Sequence, residues 1–214
     1  MKIVAFVGSA HKKGNTATAV EALLRAAEAS GAETNIVYLY DYTIKPCIGC
    51  RVCEKTHECV IKGDDVPAIH KALLEADAYV LATPTYYGDI TGQFKQFVDR
   101  VYPFIDIKKD AVTQKMVFGS IIPVRKPGVL VAISGSHAGR TFDSHTKVAF
   151  HCLNDINGYL WREVLVPYTT WNPVSEMPDK LEELAKAGKE LVQHLLSGEG
   201  EDTARTQWLR ENIT

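Results

Sequence analysis

Short apolar runs alternate with amphipathic segments along most of the chain. The apolar runs predict five strands, at 3–7, 34–39, 78–82, 129–133 and 163–166. Between them, apolar residues recur at intervals of three and four, which is the spacing of one helix face. This spacing predicts five helices, around 20–27, 69–76, 94–101, 142–156 and 181–195. Strict alternation of strand and helix predicts the α/β class, with a doubly wound parallel sheet covered by helices on both faces.

Two segments interrupt this alternation. Residues 107–127 form an apolar connection that is long for a compact domain, and it contains Met116, Val117, Phe118, Ile121 and Ile122. We expect this insertion to be a lid or an interface. Residues 197–214 are polar and form a C-terminal tail. The remainder, 1–196, is predicted to be one domain.

Composition and net charge limit the classes of partner that the protein can bind. The 214 residues are 46% hydrophobic and carry a net charge of −2, so the chain has no overall positive field for nucleic acid or an anionic membrane. No apolar run approaches the length of a membrane span. Four of the five cysteines lie between positions 47 and 59, which is not a secreted disulfide framework. We expect a cytoplasmic protein whose partners are small molecules or proteins.

The loop after the first predicted strand has the features of a phosphate site. It would lie at the carboxyl edge of the sheet, where the N-terminus of the first helix offers unpaired N–H groups. Ser9, Asn15 and Thr16 add side-chain donors. The spacing of Gly8 and Gly14 matches neither a Walker A loop nor a dinucleotide fingerprint, so a single terminal phosphate is predicted. The alternative is that Asn15 and Thr16 merely cap the helix.

Two further loops are predicted at the same edge. The loop after the third strand contains Pro84, which stiffens the turn, and Tyr86 and Tyr87, whose faces suit a planar heterocycle. Packing of these tyrosines within the protein is the alternative. The loop after the fourth strand, 134–139, is small and open. The three loops would converge where ligands bind in doubly wound sheets.

The strings GSAHKKGNT and TPTYYGDITGQFKQFVDR resemble the flavodoxin-like NAD(P)H-dependent FMN reductase superfamily, over about residues 1–196. The resemblance implies a sheet of order 2-1-3-4-5, bound FMN, and NAD(P)H as a transient co-substrate. It also implies the residues that contact FMN. They are Ser9, His11, Lys13, Asn15, Thr16, Pro84, Thr85, Tyr86, Tyr87, Gly88, Ser134, Gly135, Ser136 and Gly139.

The sequence departs from the superfamily pattern at two positions. His11 stands where the superfamily often carries Arg, so we expect the phosphate charge to be balanced by Lys12, Lys13 and the helix N-terminus. Asp89 stands where a small neutral residue is usual. An acid near the ring would disfavour an anionic reduced flavin, unless Asp89 caps the helix that begins near Thr91.

A compact cysteine motif lies in the segment 45–64, after the second predicted strand. Cys47, Cys50 and Cys53 are separated by two residues each, and Cys59 follows after five more. Thiolates are soft ligands, and this spacing is close to the bacterial ferredoxin run, which favours a [4Fe–4S] cluster. Structural zinc is an alternative, although its four-cysteine sites usually separate two C-x2-C pairs widely. A further alternative is that the four cysteines are free thiols without a metal, in a reducing compartment.

The motif within such a fold resembles the iron-sulfur flavoprotein family. That resemblance implies that Cys47, Cys50, Cys53 and Cys59 ligate one [4Fe–4S] cluster, that the protein forms a homodimer or homotetramer, and that electrons pass between FMN, the cluster and a small-molecule or protein partner such as ferredoxin. We therefore expect an FMN-dependent oxidoreductase that couples FMN to the cluster. The alternative is an NAD(P)H-dependent FMN or quinone reductase of the same fold without a cluster.

A non-redox function is the weakest interpretation. No G-x-S-x-G elbow of a hydrolase is present, and the nearest string, 135–139, has a histidine at its centre. A binding module stabilised by zinc would require that the four clustered cysteines bind zinc instead of an iron–sulfur cluster. The sequence singles out no residue as a catalytic acid or base.

Overall fold

A computed structural model of the chain describes residues 1–136 and 140–198. The C-terminal tail predicted at 197–214 lies outside the described residues from 199 onward, as do His137 and Gly139 of the third predicted loop. In chain order the elements are β1 (Lys2–Val7), α1 (Asn15–Ala29), β2 (Glu33–Tyr38), α2 (Cys53–Thr56), α3 (Val66–Glu75), β3 (Ala78–Pro84), α4 (Gly92–Asp99), β4 (Ile105–Lys109), β5 (Met116–Ser120), β6 (Lys126–Ile133), α5 (Asp143–Asp155), β7 (Gly158–Val166) and α6 (Pro178–Ser197).

The main sheet confirms the predicted fold class and order. Its five strands run in the order β2-β1-β3-β6-β7 and every neighbouring pair is parallel. Counted along this sheet alone, that is the order 2-1-3-4-5. The apolar runs predicted at 3–7, 78–82 and 129–133 became β1, β3 and β6, which are the central strands. β7 begins five residues before the predicted 163, because Gly158 already pairs with Lys126 of β6.

Helices cover both faces of this sheet, as predicted. One core lies between the sheet and α1 and α6, and it includes Leu23 and Leu191. The other lies under α3, α4 and α5, and it includes Leu73, Phe97 and Leu153. No helix in the described ranges is both long and apolar enough to cross a membrane.

The connection predicted at 107–127 contains a β-hairpin rather than a loop. β4 and β5 pair antiparallel as a separate two-stranded sheet. Met116, Val117 and Phe118 on β5 are exposed, as is Ile121, whereas Ile122 is buried in the core beneath α5. Ile122 therefore does not belong to the predicted surface. A lid or interface role for the exposed residues stays a prediction.

Asp155, the last residue of α5, gives the fold a specific dependence on pH. Burial raises the pKa of this carboxyl to about 7, and the negative end of the helix acts in the same direction. The folded state therefore binds this proton more tightly than the unfolded state, and stability is lost as the pH rises from about 4 to above 7.

Asp155→Asn should remove this loss of stability at high pH. It should raise the free energy of unfolding at pH 8 by about 1–3 kcal/mol. Urea unfolding at pH 5 and pH 8 checks this. Glu182→Gln, at an exposed position of α6, is the matched control and should leave the difference between the two pH values unchanged. Equal pH dependence in Asp155→Asn and the unaltered protein would contradict the assignment.

Candidate functional site

Loops from four strands meet at the carboxyl edge of the sheet and are joined by hydrogen bonds. Thr91 Oγ1 donates to the carbonyl of Gly8 at 2.7 Å, which links the loop after β1 to the loop after β3. Thr85 N–H donates to the carbonyl of Ile133 at the end of β6, also at 2.7 Å. The three predicted loops are therefore linked to one another, at the edge where ligands bind in this class of fold.

The first loop leaves the N-terminus of α1 open. Gly14 is the N-cap residue, and among the described residues no side chain caps this helix. The alternative that Asn15 and Thr16 are there to cap α1 is therefore wrong. The first-turn N–H groups have no partner within the helix, and Ser9 Oγ, which accepts from the His11 N–H at 3.2 Å, shapes the loop beside them. This arrangement suits an anion.

Three basic side chains surround this loop. Lys12 Nζ bonds to Asp41 Oδ2 at 2.6 Å and lies 5.3 Å from the centre of the Tyr38 ring, so an exposed carboxylate already partners its charge. His11, Lys12 and Lys13 all line an open depression of about 510 Å³ beside the loop. The expectation that Lys12, Lys13 and the helix N-terminus balance a phosphate stays a prediction.

Asn15 has a structural task that the sequence did not indicate. Its Oδ1 accepts from the Val174 N–H at 2.9 Å and its Nδ2 donates to the carbonyl of Thr169 at 3.2 Å. The Asn15 side chain therefore fixes the loop after β7 against the start of α1. What Asn15 offers to a phosphate is its main-chain N–H, and its role in phosphate binding stays a prediction on that basis.

The second loop is a tight turn that presents two tyrosines. Tyr86 and Asp89 pair through two main-chain hydrogen bonds of 2.8 and 3.1 Å. Between them Tyr87 and Gly88 have φ angles of 52° and 81°, in the left-handed region that two-residue turns of this kind require. Tyr87 is fully exposed and Tyr86 is partly exposed. Packing within the protein is therefore not the role of Tyr87, and its face is open to a ring.

Asp89 does not cap the following helix. Its Oδ1 accepts from the Ile90 N–H at 2.7 Å, whereas the cap of α4 is Thr91, whose side chain accepts from the Phe94 N–H. The Asp89 carboxyl therefore lies in the loop that the resemblance places near the ring. Its effect on a reduced flavin stays a prediction.

The third loop is held mainly through its carbonyl groups. Ser134 O accepts from Thr169, Gly135 O from Thr170 Oγ1 at 2.7 Å, and Ser136 O from the main chain of Tyr168 at 2.8 Å. A Cβ atom at Gly135 would lie 2.5 Å from Thr170 Oγ1, so a larger residue would displace the Thr170 hydroxyl from its hydrogen bond. These carbonyls are thus occupied by protein, and Gly135 also serves the contact with the loop after β7.

Sequence reasoning missed a fourth loop, residues 167–173 after β7. It carries the exposed aromatic residues Tyr168 and Trp171 and hydrogen bonds to both the third loop and Asn15. The available signal was its position: it follows the fifth predicted strand and therefore lies at the same edge as the other three loops.

A buried histidine beneath the second loop was missed as well. His145 in the first turn of α5 is almost completely buried, with Nε2 3.2 Å from Thr85 Oγ1 and Nδ1 3.4 Å from Ser144 Oγ. Burial lowers the pKa of this imidazole, although Asp89 acts in the opposite direction. A neutral imidazole therefore supports the turn from below. No sequence signal distinguishes it from other polar residues of α5.

The four clustered cysteines line one cavity. Cys47, Cys50, Cys53 and Cys59 surround about 290 Å³, together with apolar side chains that include Ile48 and Val60. The chain can wrap around this cavity because Gly49, Arg51 and His57 all have left-handed φ angles, of 66°, 60° and 54°. The site thus brings together all four residues that the sequence singled out.

The chemistry of this cavity suits a metal cluster in donor type, although the thiols are not in the geometry of an ion site. Burial, and then the neighbouring Cys59, raise the pKa of the Cys53 thiol, with smaller effects of the same sign from Cys50 and Cys47. Within residues 1–136 and 140–198, no group of three or more His, Cys, Asp or Glu side chains is arranged to hold a metal ion. The presence of a cluster therefore stays a proposal.

Comparison with known proteins identifies the family. A family model described as NADPH-dependent FMN reductase matches residues 1–157, which include the first two loops, the cysteine segment and the described part of the third loop. The chain belongs to this family. The match ends within the turn between α5 and β7, so the fourth loop lies outside it.

Several curated proteins that are similar to this chain are named iron-sulfur flavoproteins. An iron-sulfur flavoprotein of Methanocaldococcus jannaschii is 39% identical over 103 residues, 48% of this chain and 53% of that protein. One of Methanosarcina thermophila is 27% identical over 197 residues, 91% of this chain and 95% of that protein. The chain spans about half the length of the first curated relatives that it matches.

Solved structures agree on the fold. The chain resembles an NAD(P)H:quinone oxidoreductase from Methanothermobacter marburgensis with a TM-score of 0.66 and 17% identity, over 89% of this chain and 98% of that one. At this identity the likeness concerns the fold alone. It places the chain among flavodoxin-like proteins, as the strand order does.

Proposed function

We propose that this protein is an FMN-dependent oxidoreductase in which bound FMN exchanges electrons with a [4Fe–4S] cluster held by Cys47, Cys50, Cys53 and Cys59. The observation that carries the proposal is the single cavity lined by all four thiols, in a chain whose sheet edge has the loops of an FMN reductase. The iron-sulfur flavoprotein names of several relatives support the cluster.

The flavin half of the proposal rests on the carboxyl edge of the sheet. The open N-terminus of α1, the buried hydroxyls of Ser9 and Thr16, and the charge of Lys13 would hold the phosphate of FMN. The exposed Tyr86 and Tyr87 would contact its ring. FMN itself supplies the hydride and electron chemistry, and the protein supplies position, polarity and exclusion of competing reactions.

The cluster half rests on donor type and spacing. Four thiolates are soft ligands that suit either zinc or iron and sulfide. Cys47, Cys50 and Cys53 are separated by two residues each, close to the bacterial ferredoxin run, whereas four-cysteine zinc sites usually separate two C-x2-C pairs widely. The spacing therefore favours the cluster over zinc.

The two sites belong to one packed unit. Gln93 Nε2, in the first turn of α4, donates to the carbonyls of Leu39 and Tyr42 at 2.8 and 3.0 Å. Lys12 in the first loop bonds to Asp41. The segment that leads into the cysteine loop is thus attached to the first loop and to α4, the helix that follows the second loop. These contacts support electron exchange between the sites within one chain.

The partners follow from this proposal. An electron donor such as NAD(P)H or ferredoxin and a small-molecule or protein acceptor would complete the reaction, in the cytoplasm, with the protein as a homodimer or homotetramer. The exposed Met116, Val117 and Phe118 are the candidate subunit contact. A cluster-free NAD(P)H-dependent FMN or quinone reductase is the second candidate, favoured by the absence, among the described residues, of an ion-binding group of three ligands.

Anaerobic purification followed by metal analysis tests the proposal. We expect FMN together with about four iron and four acid-labile sulfide per chain, if necessary after reconstitution with ferrous iron and sulfide. Stoichiometric FMN without iron after reconstitution would leave the cluster-free reductase, and zinc in place of iron would overturn the cluster. A colourless protein that takes up no added FMN would contradict both candidates.

A further inference from the structure

The cysteine loop is closed at its base by a buried ion pair. Arg100 Nη1 donates to Asp64 Oδ2 at 2.6 Å and to the carbonyl of Lys45 at 2.7 Å. The two charged side chains are only 2% and 1% exposed. Lys45 precedes Cys47 by two residues, and Asp64 follows Cys59 by five. One guanidinium group therefore holds both ends of the segment that carries the four thiols.

The same arginine is the C-cap residue of α4, the helix that begins at the proposed flavin site. Arg100 directly follows α4, whose N-cap residue is Thr91. Thr91 Oγ1 donates to the carbonyl of Gly8 in the phosphate loop at 2.7 Å. The helix between them is about 12 Å long, because each residue adds 1.5 Å. One short, rigid element thus contacts the flavin loops at one end and the base of the cysteine loop at the other.

This ion pair is better suited to fixing geometry than to adding stability. Burial alone would raise the pKa of Asp64, but the hydrogen bond and charge of Arg100 outweigh it and lower the pKa, so the carboxylate stays ionised. Arg100 Nε and Asp64 Oδ1 are buried without a hydrogen-bond partner among the described residues. Unsatisfied buried groups cost free energy, which offsets the gain from the pair, and what the pair supplies is a defined position.

We propose that Arg100 is a positioning residue that holds the two ends of the cysteine loop together, so that Cys47 and Cys59 can ligate one [4Fe–4S] cluster. The inference rests on the proposed function and adds to it a residue outside the cysteine motif. Arginine is suited to this task because its planar group can donate to a carbonyl and a carboxylate at once in fixed directions, whereas the lysine ammonium is a point charge on a flexible stem.

The test removes both charges together. Arg100→Met/Asp64→Leu leaves no unpaired buried charge, so the core can stay packed. It removes the buried contact of Arg100 with Lys45 and Asp64 and leaves the hydrogen bonds between Thr43 and Asp65 in place. The matched control is Lys95→Gln/Asp99→Asn, which removes the exposed ion pair on the same helix. Arg100→Lys is the second variant, which keeps the charge opposite Asp64 if the double variant folds poorly.

Two readouts separate this inference from the proposed function. The first is hydrogen–deuterium exchange on metal-free protein, which needs no cluster. Exchange in segment 45–64 should rise at least about tenfold in the double variant, and less in Arg100→Lys, while segment 8–16 and the control variant stay unchanged. The factor follows from an opening that is about 1.4 kcal/mol easier. Unchanged exchange in segment 45–64 would overturn the proposal, whether or not the protein holds iron.

The second readout is cluster retention in reconstituted protein. The rate of iron release to a chelator should rise about tenfold or more in the double variant, the effect typical of losing a residue that orients metal ligands. FMN content should stay at the level of the unaltered protein. Iron release at the unaltered rate despite faster exchange would also overturn the proposal. If the unaltered protein takes up no iron at all, the proposed function fails, and the exchange experiment alone decides whether Arg100 positions the loop.

Discussion

Cys53→Ser is expected to abolish the iron–sulfur cluster while FMN remains bound. Cys53 is less exposed than Cys47 and Cys50 and is the first residue of α2, so its sulfur is held by helix geometry at the wall of the cavity. A serine hydroxyl is a hard, weakly acidic group that replaces a thiolate poorly as a ligand for iron. The variant should therefore lose nearly all of its iron and sulfide.

FMN content, measured on the same sample, should stay at about one per chain, because none of the four cysteines is among the residues that are proposed to contact FMN. Cys152→Ala is the matched control. Cys152 is completely buried in the core beneath α5, so its removal should leave the iron content unchanged. Full iron content in Cys53→Ser, or equal loss in both variants, would contradict the assignment of the cavity.

Gly8→Ala is expected to weaken FMN binding about 5- to 150-fold. A Cβ atom at this position would lie 2.7 Å from Phe94 Cβ and 2.9 Å from Thr91 Oγ1. The first turn of α4 must then move, which disturbs the hydrogen bond from Thr91 to the Gly8 carbonyl. Overpacking of this kind costs about 1–3 kcal/mol of folding free energy. The free protein relieves it by moving the loop, and FMN binding must restore the loop against the same cost, which gives the predicted range in Kd.

Titration of the flavin-free variants with FMN, followed by flavin fluorescence, gives the Kd values. Gly92→Ala is the matched control, because it lies at the start of the same helix and a Cβ atom there meets nothing within 4 Å. Its Kd for FMN should stay within about twofold of that of the unaltered protein. An unchanged Kd in Gly8→Ala would show that the first and second loops do not bind FMN as one surface.

The fold could be predicted from the sequence because its central strands are buried on both faces. β1, β3 and β6 read as continuous apolar runs, and a parallel sheet leaves few arrangements for them. β4 was not predicted from the sequence, because it is not a buried central strand. Its sequence, IDIKK, has only two apolar residues, and it pairs with an exposed partner, β5, outside the main sheet.

The candidate site could be predicted as a set of loops but not as a set of contacts. The glycines and hydroxyls of the first loop lie within a few residues of one another in the sequence. Together they predict a helix N-terminus. The partners of the Asn15 side chain, Thr169 and Val174, are more than 150 residues away, and no local pattern indicates them. The pairing of Lys12 with Asp41 is hidden in the same way, because both residues read as solvated charges.

The ends of the cysteine loop lie side by side, and this makes the loop a separable module. Thr43 N–H donates to Asp65 Oδ2 at 2.7 Å, and Asp65 N–H donates to the Thr43 carbonyl at 2.9 Å. Closing a smaller loop costs no more entropy than closing a larger one, but the segment also supplies Asp64, the partner of the buried Arg100, and contacts Tyr102 and Pro103 through Glu54 and His57. A protein engineer who excised the segment between these ends would therefore have to replace Arg100 by an apolar residue in the same step, and one who grafted it onto another flavodoxin-like scaffold would have to carry Arg100 along with the proposed cluster site.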